Sequence, residues 1–167
     1  AIYMAMSLSA LGPTLLWDAD HQASATDWAH LAQGSGEKLP YQVEPANLAI
    51  LRRGSPDGFE YVVIDTPPGD PSTLDAAIAA SDVVILPTEA APQDMNRLWA
   101  TLGHLDASKP RVVLLTKTSS HTKAHRAAVD VLQEVEDVAT FAADVPRREE
   151  IKNAFGTRPT NLYTYPA

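Results

Sequence analysis

Tyr61-Val62-Val63-Ile64-Asp65-Thr66-Pro67-Pro68-Gly69-Asp70 is the stretch that decides the fold. Its apolar, mostly β-branched run has no polar alternation, the pattern of a strand buried on both faces, as in a parallel sheet. The run ends at Asp65, and Thr-Pro-Pro-Gly behind it continues neither a strand nor a helix. A carboxylate at the carboxyl end of a buried parallel strand stands where open α/β sheets place their ligands. The same aspartate also suits a plain turn cap, so the residue alone leaves both roles open.

The surrounding composition narrows the class. With 167 residues, 45% hydrophobic and 20% charged, the chain is long enough for one domain with a real core. The net charge of −8 means that the chain as a whole does not attract nucleic acid, although a local basic patch still can. The absence of cysteine excludes disulfides, thiolate zinc sites and cysteine-held iron–sulfur clusters. No apolar run reaches the length of a membrane span and no signal peptide is visible, which predicts a cytoplasmic protein.

Working outward, Ala1 to Leu11 is almost wholly apolar or small. It predicts a helix packed closely on a sheet and stopped by Gly12-Pro13. Thr14 to Trp17 is a short strand ending in Asp18-Ala19-Asp20-His21-Gln22, where Asp18 and Asp20 suit a strand-to-helix turn. Ser24 with Asp27 resembles a capping box for a helix over residues 25–32. A strand is predicted over Tyr41 to Glu44, then a small helix from Pro45 to about Arg52. After the central strand, Asp70-Pro71 reads as N-cap and first helical residue, with a helix through Ala80.

Two further apolar strands follow, 82–87 and 111–116, flanking a helix that Pro92 opens. A helix over 122–136 is predicted to bury Ala124, Ala128, Val131, Leu132 and Val135. A short strand over 139–141 and a helix from Arg148 to Phe155, stopped by Gly156, complete the pattern. Strands alternating with helices across short turns predict a doubly wound α/β domain with a mostly parallel sheet and helices on both faces.

Three blocks in this order, Asp18-Ala19-Asp20-His21-Gln22, Val63 to Gly69 and Val145-Pro146-Arg147, resemble the ParA/MinD family, the deviant-Walker ATPases of partition and positioning. Val83 to Thr88 and the tail from Ile151 to Pro159 also fit, so the resemblance spans nearly the whole chain. It implies a P-loop NTPase-like fold, ATP and Mg²⁺ as cofactors, and an ATPase. Asp65 would hold Mg²⁺, with Asp18 as its neighbouring partner. Asp20 would orient the attacking water. Pro68 and Gly69 would belong to a switch that meets the γ-phosphate, and Thr116, Lys117, Val145, Pro146 and Arg147 would grip the adenine.

The resemblance further implies plasmid or chromosome partitioning, dimerisation on ATP, non-specific DNA binding from the nucleoid, and a ParB-like stimulating partner. The basic residues Lys117, His121, Lys123, His125 and Arg126, with Arg147, Arg148, Lys152 and Arg158 as a second group, are the matching positive patches or else a solvated helix face. The C-terminal Thr160 to Ala167 is no basic amphipathic membrane helix, which favours ParA-like over MinD-like function. The family's K-G-G-x-G-K-T loop has no counterpart here, because the chain opens inside the helix that follows it. About 15–20 residues, a strand and that loop, are therefore expected ahead of Ala1, making 1–167 a single, N-terminally incomplete nucleotide-binding domain. The rival expectation is a ParA-like interaction module that lacks the loop and does not hydrolyse ATP.

Overall fold

The structure is a computed structural model in which residues 1–106 and 108–159 are described. The alternating pattern of the sequence resolves into seven helices and seven strands among these residues, in two compact units: Ala1–Ala80 with the segment from Lys152, and Ser81–Ile151.

The first unit contains α1 (Ile2–Ser9), β1 (Thr14–Asp18), α2 (Ser24–Gly34), β2 (Gln42–Pro45), α3 (Leu48–Arg53), β3 (Tyr61–Asp65) and α4 (Pro71–Ala80). Its three strands are parallel in the order β2-β1-β3. Central β1 is buried at every position. Side chains alternate across a strand, so Leu16 and its two neighbours enter different cores. Leu16 packs with Ile2, Ala5, Ala25 and Ala32 of α1 and α2, whereas Leu15 and Trp17 pack with Leu51 and Ala77 of α3 and α4. Helices therefore cover both faces, as the doubly wound pattern predicts.

β3 departs from its prediction. All five of its residues are only partly buried, because among the described residues β3 pairs with β1 alone and forms the edge of this sheet. The apolar run reported burial against helices correctly; it carried no information on whether a second strand lies alongside.

The second unit holds β4 (Val84–Thr88), α5 (Pro92–His104), β5 (Arg111–Thr118), α6 (Lys123–Gln133), β6 (Ala139–Thr140), β7 (Val145–Pro146) and α7 (Glu149–Asn153), the last running into the first unit's final segment. Here β5 pairs in parallel with β4, β6 and, at its far end, β7. Leu86, Val113 and Leu115 of the strands meet Met95, Leu98 and Leu102 of α5 and Ala128 and Leu132 of α6.

Local chemistry explains the other departures. The Ser24–Asp27 capping box does not form, since the residue before α2 is Ala23, in a left-handed conformation with no side-chain cap. Pro45 ends β2 instead of opening a helix, and Asn47 caps α3 by accepting from the amides of Ala49 and Ile50. In α6, Ala124 and Val131 face solvent, and the helix ends at Gln133. The segment 160–167, on which the comparison with a membrane helix rests, lies outside the described residues.

Candidate functional site

The carboxyl ends of β1 and β3 carry the first cluster of candidate residues. Asp18 and Asp65 are register partners on these adjacent parallel strands, so two carboxylates close the sheet side by side. Asp18 is buried, and its charge is met by the next helix: Oδ2 accepts from the amide and the hydroxyl of Thr26, each at 2.8 Å. Its Oδ1 accepts the Asp20 amide at 3.3 Å. Asp18 thus caps α2 from outside the helix and shapes the loop that carries Asp20. That loop is further turned by the Gln22 amide donating to Asp20 Oδ1 at 2.9 Å.

Among the described residues Asp65 has no such protection. Burial pushes its carboxyl up, and the carboxylates of Asp18 and Asp20 push it up further. A partly buried acid with two acidic neighbours is an environment that a divalent cation relieves, and hard oxygen donors of this kind suit Mg²⁺. Among the described residues no three His, Asp or Glu side chains form a complete protein cage. Mg²⁺ is commonly held by one or two carboxylates plus phosphate and water, so this donor set fits it.

Behind Asp65, Pro67 is buried while Pro68 and Gly69 are exposed. Gly69 has φ +79°, a left-handed conformation that a side chain would strain. Asp70 then caps α4 as predicted: its carboxylate accepts from the Thr73 amide at 3.2 Å and the Thr73 hydroxyl at 2.8 Å, and these bonds hold it below the usual carboxylate range. The exposed Pro68-Gly69 tip is therefore anchored at both ends, by β3 and by the Asp70 cap.

The second cluster lies at the carboxyl end of β5. Thr116 pairs with Val145 and Thr118 with Pro146, with a bulge between them at Lys117. Lys117 has φ +49°, uncommon for a residue with a side chain. Its Nζ donates to Glu89 Oε1 at 2.6 Å, while Arg147 Nη2 donates to Glu89 Oε2 at 3.4 Å. All five residues predicted to meet a nucleotide base are thus brought together.

Sequence reasoning missed three partners: Thr26, Glu89 and Asp144, whose Oδ2 lies 2.7 Å from Nε2 of His125. Only Glu89 had any local signal, as an acid immediately past a strand end. The patches differ in their freedom. Lys123 and Arg126 are exposed, whereas His125 is mostly enclosed against Asp144.

Parallel sheets with helices on both faces and carboxylates at the strand ends define a P-loop NTPase-like fold. Comparison with known proteins narrows this further. No family model matches the chain. The "Maintenance of carboxysome distribution protein A" of Gloeobacter kilaueensis is 37% identical over 121 residues, covering 70% of this chain and 55% of the relative, so the chain spans about half the length of that protein. Apo McdA of Cyanthece has the same fold with a TM-score of 0.75, at 21% identity over 93% of this chain and 82% of the other. A Borrelia burgdorferi plasmid partition protein bound to AMPPNP gives 0.70 at 18% identity, over 96% and 84%. The pNOB8 ParA bound to nonspecific DNA gives 0.56 at 16% identity, over 92% and 84%. In sequence and fold the chain thus resembles the ParA/MinD family.

Proposed function

We propose that this chain is the nucleotide-responsive domain of a ParA-like ATPase that positions a cargo on DNA. The observation that carries the proposal is the in-register pair Asp18–Asp65 at the ends of β1 and β3, with Asp20 two residues further on. Asp65 would hold Mg²⁺, which supplies positive charge to the phosphates. Asp18 keeps the Asp20 loop in place through its bonds to Thr26 and the Asp20 amide. Asp20 orients the attacking water and accepts its proton, and phosphoryl transfer asks little more of a protein than such positioning and charge. Gly69 offers a backbone N–H at an exposed tip, where the switch meets a γ-phosphate. Thr116, Lys117, Val145, Pro146 and Arg147 line the place for the base.

The glycine-rich loop and lysines that cradle phosphate in this family are not among these 167 residues, and the proposal concerns this domain acting together with such a loop. ATP closes a homodimer, the dimer binds DNA non-specifically through the exposed basic residues, and hydrolysis stimulated by a ParB-like partner releases it. The protein then works in the cytoplasm at the nucleoid. No helix of the described residues is long and apolar enough to cross a membrane. The cargo is a plasmid or chromosome partition complex. The name of the 37% identical relative supports a second reading of the cargo, a carboxysome.

The test is sedimentation of the full-length protein with Mg²⁺ and a non-hydrolysable ATP analogue, with and without duplex DNA. A nucleotide-dependent dimer that co-sediments with DNA is expected. A species unchanged by nucleotide contradicts the proposal and favours a non-catalytic module.

A further inference from the structure

Glu89 occupies the position in which a ligand anion would satisfy the two cations of the β5–β7 end. Its two oxygens are divided between them, Oε1 to Lys117 at 2.6 Å and Oε2 to Arg147 at 3.4 Å. The three residues come from the ends of β4, β5 and β7, where β5 pairs with each of the other two and where parallel sheets present ligands. The cations stand at 65% and 61% side-chain exposure, open to a ligand, while the carboxylate between them is at 31%. Lys117 is set there by the bulge and its left-handed backbone, a conformation that costs energy and is kept at functional sites more often than elsewhere.

We propose that Glu89 is an intramolecular competitor: its carboxylate fills an anion seat formed by Lys117 and Arg147, and a phosphate-bearing ligand binds that seat by displacing it. A carboxylate and a phosphate oxygen make the same charge-assisted bonds to ammonium and guanidinium groups, so one replaces the other without rebuilding the site. Displacement costs little because both ion pairs are exposed and individually weak. The seat therefore binds readily yet releases readily. The phosphate comes either from a nucleotide or from a nucleic-acid backbone. The proposal goes beyond the functional reading given above, since it gives the charged ends of Lys117 and Arg147 to a phosphate and leaves Thr116, Val145 and Pro146 to the base, and it does not require turnover.

The experiment measures binding of the full-length protein to two probes, inorganic triphosphate and a random-sequence DNA duplex, at fixed salt and without hydrolysis. Glu89→Gln frees both cations while keeping the side-chain shape, and Glu136→Gln, an exposed acid on the same unit, controls for the loss of one negative charge. Glu89→Gln is expected to bind at least one probe about fivefold tighter than Glu136→Gln. The triple variant Glu89→Gln/Lys117→Gln/Arg147→Gln is expected to lose that gain. A gain on triphosphate alone identifies a nucleotide as the source; a gain on duplex identifies nucleic acid. Equal affinities of Glu89→Gln and Glu136→Gln for both probes overturn the proposal, as does a gain that survives in the triple variant. Failure here leaves ATP turnover and its dependence on Asp20 and Asp65 untouched, and loss of turnover leaves these affinities untouched.

Discussion

Asp65 and Asp18 sit side by side yet live in different environments, and the difference is made by single hydrogen bonds. Asp18 has three donors; Asp65 bears the burial and the repulsion of its acidic neighbours. A carboxyl whose folded value is raised binds its proton more firmly in the folded state than in the unfolded one. Its contribution to stability is therefore greatest at low pH and is lost as pH rises from the ordinary aspartate value through the raised one. At neutral pH the charged Asp65 is a cost to the metal-free protein. Asp65→Asn should stabilise it by about 0.5–2 kcal/mol, read from denaturant midpoints, while removing Mg²⁺-dependent nucleotide binding. A variant less stable than the wild type at pH 7 would mean that the Asp65 carboxylate is favourably partnered. The sequence placed these three acids at strand ends, but the donors that separate their roles, Thr26 above all, come from the following helix and carry no mark in the strand itself.

At the scale of elements, the notable tie is between α6 and the segment leading into β7. His125, on the first turn of α6, meets Asp144, immediately before Val145. Burial pushes the Asp144 carboxyl up, but hydrogen bonds from Thr118 and His125 outweigh it and hold the group below its ordinary value. A lowered carboxyl contributes stability that is present above the ordinary aspartate value and lost as pH falls through the lowered one. Asp144→Asn is therefore expected to lower the melting temperature by about 2–4 °C at pH 7, with the gap closing below about pH 4. A gap independent of pH would assign the effect to shape instead of charge. Most elements were legible from hydrophobic period, turn residues and proline. Two kinds of feature were not. β7 is two residues long and exists only because β5 extends past its apolar run to pair with it. The caps at Ala23 and Asn47 depend on which side chain reaches a free amide, and the nearest capping signals, Ser24 and Pro45, were outcompeted.

At the scale of the whole chain, the doubly wound class followed from alternating strands and helices, and the solved relatives share that fold at 16–21% identity. So low an identity carries fold alone, and the chemistry rests on which residues stand at which strand ends. Those of β1 and β3 collect three acids in one unit; those of β4, β5 and β7 collect two cations around one carboxylate in the other. Under the proposed function the acids would hold Mg²⁺ and the cations an anion, and each set is built on its own sheet. The measurement that bears most directly on this is phosphate release from Mg²⁺·ATP by the full-length protein, with DNA and partner present, for the wild type, Asp20→Ala and Asp65→Ala. Stimulated turnover in the wild type that falls about 100-fold or more in both variants is the expected result. Equal, background-level release from all three would contradict a catalytic role for the strand ends of β1 and β3.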